Sequence, residues 1–260
     1  MTCGDLNSLK KWFSDYTGSF FGADESDNRN LRLKAEHTQN VCANIKEIAE
    51  SLPLPPEKII LAETIALFHD IGRFPQYKKY KTFQDGKSVN HGLLGARTLQ
   101  AENVLNGLAE AERDLISNSV KFHNVFQIPD VKDEELLLFL KLIRDADKLD
   151  ILRVFINFYE SPVEERASAT AFGLPDTPDY SKETLERIYK KQKVSYASLR
   201  NVNDFRLMNL SWGYAMNFKA SYRLLKERDY LNRVLKHLPE KEDIAKAAAL
   251  VQKFVEEQLR

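Results

Sequence analysis

The chain has 260 residues, 43% of them hydrophobic, which is enough apolar material for one large domain or two small ones. Its 38 basic and 38 acidic side chains cancel, so no net field draws it onto a nucleic acid polymer or an anionic membrane. Two cysteines, Cys3 and Cys42, are too few for a disulfide framework or a thiolate zinc site and fit a reducing compartment. Neither an apolar signal core after Met1 nor a run approaching the roughly 18 apolar residues of a membrane span is visible, so a soluble cytoplasmic protein is expected.

The apolar pattern is helical nearly throughout, and the expected fold class is all-α. Val41, Ile45, Ile48 and Leu52 draw one buried stripe at helical spacing, and His37 lies one turn before it. Three prolines between Ser51 and Pro56 end that helix, and the next runs through the apolar segment Ile59–Phe68 to His69 and Asp70. Gly72 followed by Pro75 is expected to end it, leaving Lys78, Lys79 and Lys81 on a loop. Asn90 precedes His91 at the start of a further helix through Leu94 and Leu99. Ile116 and Val120 form a stripe that His123 closes, and a polar connection from Asn124 to Asp133 follows. Leu136 to Tyr159 is apolar on more than one face and is expected to run through the core. Ser161 to Ser181, with Pro162, Gly173, Pro175 and Pro178, reads as an irregular lid or connection, or equally as a plain surface loop. Thr184 to Arg260 is again helix-forming, with an aromatic-rich stretch at Trp212, Tyr214, Met216 and Phe218 that suits core packing or a dimer contact.

Four of the five histidines, His37, His69, His91 and His123, thus fall on apolar stripes or at helix ends facing the interior. Burying several imidazoles without a shared partner would cost on the order of 1–3 kcal/mol for each unsatisfied polar atom. A metal centre supplies that partner, and neutral imidazole suits zinc, iron, manganese, nickel or copper. The missing ligand should be a carboxylate on the central helix, where Asp145, Asp147 and Asp150 are available; Asp145 and Asp147 lie on different apolar stripes, and periodicity does not choose between them. His237, before Leu238-Pro239 at a helix end, reads as structural, where a cation suits the helix dipole. Lys190, Lys191 and Lys193 read as a solvated face, and Cys42 is assigned no reactivity.

The order His37, His69-Asp70, His91, His123, Asp147 resembles the ligand signature of the HD-domain superfamily of metal-dependent phosphohydrolases, in its six-ligand, dinuclear branch. His69-Asp70-Ile71-Gly72 is similar to that family's HDIG block, and Ala146-Asp147-Lys148-Leu149 to its closing block, which favours Asp147 over Asp145. The resemblance covers roughly Arg32 to Tyr159. With the helical pattern of the remainder, which lies outside the resemblance, one all-α domain over 1–260 is expected, with the HD core and its metal site at 28–160, an irregular loop or lid at 161–182 and a C-terminal helical layer at 183–260. The resemblance implies that His37, His69 and Asp147 hold one metal, that His91 and His123 hold a second, and that Asp70 bridges them. The paired histidine and glycine-tyrosine-proline block of the cyclic-dinucleotide phosphodiesterases are absent, since Asn124 follows His123.

Four neutral imidazoles and two carboxylates around two divalent ions would leave a net charge of about +2, which attracts phosphate and lowers the pKa of bound water toward about 7. The expected reaction is hydrolysis of a phosphate ester or anhydride of a nucleotide or small metabolite by a metal-bridging hydroxide. Asp70 and Arg73 are the expected catalytic residues. Arg73 is the first candidate for a phosphate contact, followed by Lys148 and Lys34. Two other readings stay open: a di-iron oxygenase of the same branch, using a mixed-valence pair, and a metal-holding regulatory module without turnover. A homo-oligomer is compatible with the sequence.

Overall fold

A computed structural model describes residues 1–168 and 173–260, and among these every regular element is helical. Two compact units emerge: Met1–Asp150 with Arg166–Thr170, and Ile151–Glu165 with Ala171–Arg260. Of the irregular segment expected at 161–182, residues 169–172 lie outside the described residues.

The first unit contains α1 (Cys3–Gly18), α2 (Glu25–Glu50), α3 (Pro56–Phe68), α4 (Arg73–Tyr80), α5 (His91–Ala101), α6 (Glu110–Phe122) and the first part of α7 (Glu134–Glu160). Helix α1 opens with a capping box: the Thr2 hydroxyl accepts from the Asp5 backbone N–H, and Asp5 accepts from the Thr2 backbone N–H. It buries Leu6, Leu9, Phe13 and Thr17 and packs on α3. Helix α2 starts at an Asp24 cap and buries His37, Val41, Ile45 and Ile48 as their spacing predicts, whereas Leu52, expected on the same stripe, lies beyond the helix end at Glu50 and is half-buried. Helix α3 begins at Pro56, where a missing N–H costs nothing, and its final two turns are buried on all sides. Helix α7 carries a fully buried face of Phe139, Leu140, Leu142, Ile143, Ala146 and Leu149. It is tied to α2 where the Asn44 side chain donates to the Ala146 carbonyl at 3.1 Å.

The expected loop at Lys78 and Lys79 is corrected to a helix. Pro75 is the third residue of α4, within the first turn, where its ring replaces an N–H that would have no intrahelical acceptor. The crossing of this region with α5 depends on glycine: a Cβ at Gly72 would lie 2.3 Å from the His91 carbonyl oxygen and 2.6 Å from the Gly95 nitrogen.

The second unit contains the remainder of α7, then α8 (Lys182–Tyr189), α9 (Val202–Ser211), α10 (Lys219–Glu227), α11 (Tyr230–Leu235) and α12 (Glu242–Leu259). The aromatic stretch expected as part of an apolar helix is instead a 3-10 turn at Trp212–Tyr214 followed by irregular chain to Phe218. The reason is tertiary: the backbone at Gly213 lies against α12, and a Cβ there would be 2.3 Å from a Val251 methyl. No described helix is long and apolar enough to cross a membrane.

Candidate metal centre

Four histidines and two aspartates of the first unit converge where α2, α3, α5, α6 and α7 supply one or two side chains each. Helical periodicity delivers His37 from the buried face of α2. His69 and His123 occupy the same position in two different helices, the residue that caps the C-terminus of α3 and of α6. His91 is the first residue of α5, whose Asn90 cap accepts from the Leu93 N–H at 2.8 Å. His37, His69, Asp70, His91 and His123 are all buried.

The imidazoles meet in two pairs, His37 Nε2 with His69 Nε2 at 3.3 Å and His91 Nε2 with His123 Nε2 at 3.1 Å. In each ring the other nitrogen is already committed to an acceptor. His69 Nδ1 donates to the Ala66 carbonyl at 2.6 Å and His123 Nδ1 to the Val120 carbonyl at 2.7 Å. His37 Nδ1 meets Asp150 Oδ2 at 2.7 Å, and His91 Nδ1 meets Asp85 Oδ2 at 2.7 Å. Carbonyls and carboxylates only accept, so all four Nδ1 atoms carry the proton, and in the neutral rings all four Nε2 atoms present lone pairs.

Asp70 stands between the pairs and divides its oxygens among them. Oδ2 lies 3.7 Å from His37 Nε2 and 3.9 Å from His69 Nε2, while Oδ1 lies 3.3 Å from His91 Nε2 and 3.9 Å from His123 Nε2. Asp147 Oδ1 lies 3.2 Å from His37 Nε2 and 3.7 Å from His69 Nε2. Asp145 is fully buried in the same helix; at about 100° per residue it sits roughly 200° around the helix from Asp147, on another face.

These residues fit divalent ions. Two nitrogen ligands each about 2.1 Å from one ion, at angles between square and tetrahedral, are about 3.0–3.4 Å apart. Both imidazole pairs have that separation. His37, His69 and Asp70 form one group whose ligand atoms lie within 4.8 Å of one another, and Asp70, His91 and His123 form another. Without a cation, two bare lone pairs facing at 3.1 Å repel.

The electrostatics of the two pairs differ. Burial opposes a charge on His37, but hydrogen bonds with Asp147 and Asp150 outweigh it and raise its pKa to about 9. Burial lowers the pKa of His69 and of His91, and lowers that of His123 to about 3. Burial also works against ionised Asp70, yet Lys34 and then Arg73 hold its carboxyl well below the usual range. Asp147 is held down similarly, chiefly by its hydrogen bond with His37.

The candidate phosphate contacts border the site. Lys34 Nζ lies 2.9 Å from Asp70 Oδ2 and over the Phe83 ring, 5.2 Å from its centroid. Arg73 Nε donates to Asp70 Oδ1 at 3.3 Å, and its Nη1 donates to Gln76, the Phe83 carbonyl and Asp85. Arg73 Nη2 makes no hydrogen bond to a described residue. Lys148 Nζ donates to the Arg144 carbonyl at 3.0 Å, one turn back along α7. His237 belongs to the second unit, 3.9 Å from Glu160 and beside the Tyr159 ring.

Sequence reasoning missed three supporting groups. Asp150 appeared only as a possible ligand, although its position one turn beyond Asp147 placed it on the same face. The Arg144 guanidinium donates to the carbonyls of His123 at 2.9 Å and Phe126 at 3.2 Å, closing the C-terminus of α6. Asp85 carried no signal, because it lies between helices in a segment without periodicity.

Comparison with known proteins yields one match. Residues 35–152 match the HD domain, an all-α family whose members are generally metal-dependent hydrolases. No curated protein and no solved structure matches the chain. The matched stretch, a little under half of the chain, contains His37, His69, Asp70, His91, His123 and Asp147, so the segment similar to the HD domain is also the one that holds the two His/Asp groups able to take a metal ion.

Proposed function

We propose that the protein is a metal-dependent phosphohydrolase acting on a phosphate ester or anhydride of a nucleotide or other small metabolite. His37, His69 and Asp147 hold one ion, His91 and His123 a second, and Asp70 serves both. The observation that carries this reading is the division of the two Asp70 oxygens between two imidazole pairs. Two divalent ions bound there would supply a Lewis-acid clamp for phosphoryl oxygens and lower the pKa of bound water toward about 7.

The protein's own groups have separable tasks. The Nδ1–H bonds fix each ring so that Nε2 stays available, and Asp150 orients His37. Lys34 and Arg73 hold Asp70 ionised, as a bridging carboxylate must be. Arg73, with Nη2 uncommitted and its side chain 14% exposed, is the residue best suited to receive a phosphoryl oxygen. Asp147, at 17% exposure, lies where the site meets solvent, so the substrate phosphate is expected to arrive on that side.

The test is a panel of nucleotides, sugar phosphates and an aryl phosphate, offered to protein reconstituted separately with manganese, zinc, nickel and ferrous iron. Phosphate release that chelation abolishes and metal restores supports the proposal. Oxygen consumption by the iron form with no phosphate release would replace it with an oxygenase, and metal uptake with neither activity would replace it with a binding module.

A further inference from the structure

Each imidazole pair combines a ring backed by its own helix with a ring backed by a distant carboxylate. His69 and His123 donate to carbonyls three residues earlier, while His37 depends on Asp150 and His91 on Asp85. The two carboxylates are built in differently. Asp150 belongs to a buried face of α7, whereas Asp85 opens a short turn, Asp85–Lys87, between α4 and α5.

Asp85 gathers more than His91. Its Oδ1 accepts from Arg73 Nη1 and from Gln76 Nε2, both at 3.0 Å, and its Oδ2 accepts from Asn124 Nδ2 at 3.0 Å. Gln76 also donates to Ser88 Oγ at 2.9 Å and to the Val89 carbonyl at 3.0 Å, which holds the turn against α4. One carboxylate therefore collects donors from α4, from α5 and from the residue after His123. Arg73 in turn reaches Asp70.

We infer that Asp85 is the positioning residue that assembles the second half of the site, fixing His91 with its Nε2 bare and anchoring Arg73 beside Asp70. Only the metal readout of this assignment rests on the two-ion reading given above. An asparagine at 85 would keep one accepting oxygen but turn an amide N–H₂ toward other donors, and an alanine would keep neither.

Two measurements on the full chain test it. Imidazole nitrogen NMR of the metal-free Asp85→Ala protein should show His91 losing its fixed Nδ1–H tautomer, while His69 and His123, backed by carbonyls, keep theirs. Cobalt(II) titration followed by visible absorption should show one of the two equivalents weakened by about 10–100-fold and the other unchanged, with a smaller loss in Asp85→Asn. Retention of a single His91 tautomer in Asp85→Ala, or equal weakening of both equivalents, would overturn the assignment. Uptake of one equivalent by the wild-type chain would refute the two-ion reading instead, and the tautomer measurement would still decide the role of Asp85.

Discussion

Loading an ion at the His37 pair should expel one proton, and loading one at the His91 pair should expel none. In the metal-free protein His37 has a pKa of about 9, because Asp147 and Asp150 outweigh the burial that opposes its charge. An ion that takes the His37 Nε2 lone pair must displace that proton. His69, His91 and His123 have lowered pKa values, and Asp70 and Asp147 are held ionised, so none of these has a proton to lose at neutral pH. The logarithm of the association constant at the His37 site should therefore rise by about one per pH unit toward pH 9 and level off above it. From pH 7 to the plateau above the His37 pKa of about 9 the gain is about 100-fold, or ~2.7 kcal/mol. Titration calorimetry with manganese in buffers of different ionisation enthalpy counts the protons directly. Uptake of both ions with no proton released, and with the same affinities at pH 7 and pH 9, would refute the assignment of His37 as a protonated ligand.

The same group fixes a stability trend in the metal-free protein. Because the folded pKa of His37 is raised from 6.5 to about 9, its contribution, about 3 kcal/mol, is complete below pH 6.5 and lost as pH rises through 9. The melting temperature of the chelated protein should fall across that window, whereas a constant value would contradict it. Gly72→Ala should destabilise the protein by at least about 1–3 kcal/mol, because its Cβ would meet the backbone of α5 at 2.3 Å; denaturant unfolding checks this. Asp147→Asn should weaken the ion at the His37 pair by at least about tenfold, while Asp145→Asn and His237→Ala should leave both ions in place, as metal analysis after dialysis would show.

What the sequence disclosed followed from local periodicity. The stripe on α2 placed His37 inward, and the apolar run of α3 placed His69 at a buried helix end, because side chains spaced at 3.6 residues share one face. Position in a helix also made His91 and His123 readable as terminal residues. What periodicity could not disclose was the partner of each ring. Asp85 reaches His91 from a turn between helices, and Arg144 reaches the carbonyl of His123 across 21 residues. Such pairings depend on how helices cross, and a single chain does not display that. Two local readings also yielded to context. Pro75 sits inside α4 because a first-turn proline is harmless, and Gly213 breaks the aromatic stretch because α12 presses against its backbone.

The central claim is that one aspartate joins two ions. Anomalous diffraction from crystals of the manganese- or zinc-loaded protein measures this directly. The account predicts two peaks about 3.5–4 Å apart, one beside His37, His69 and Asp147, the other beside His91 and His123, with an Asp70 oxygen on each. A single peak, or two peaks that Asp70 does not join, would contradict it.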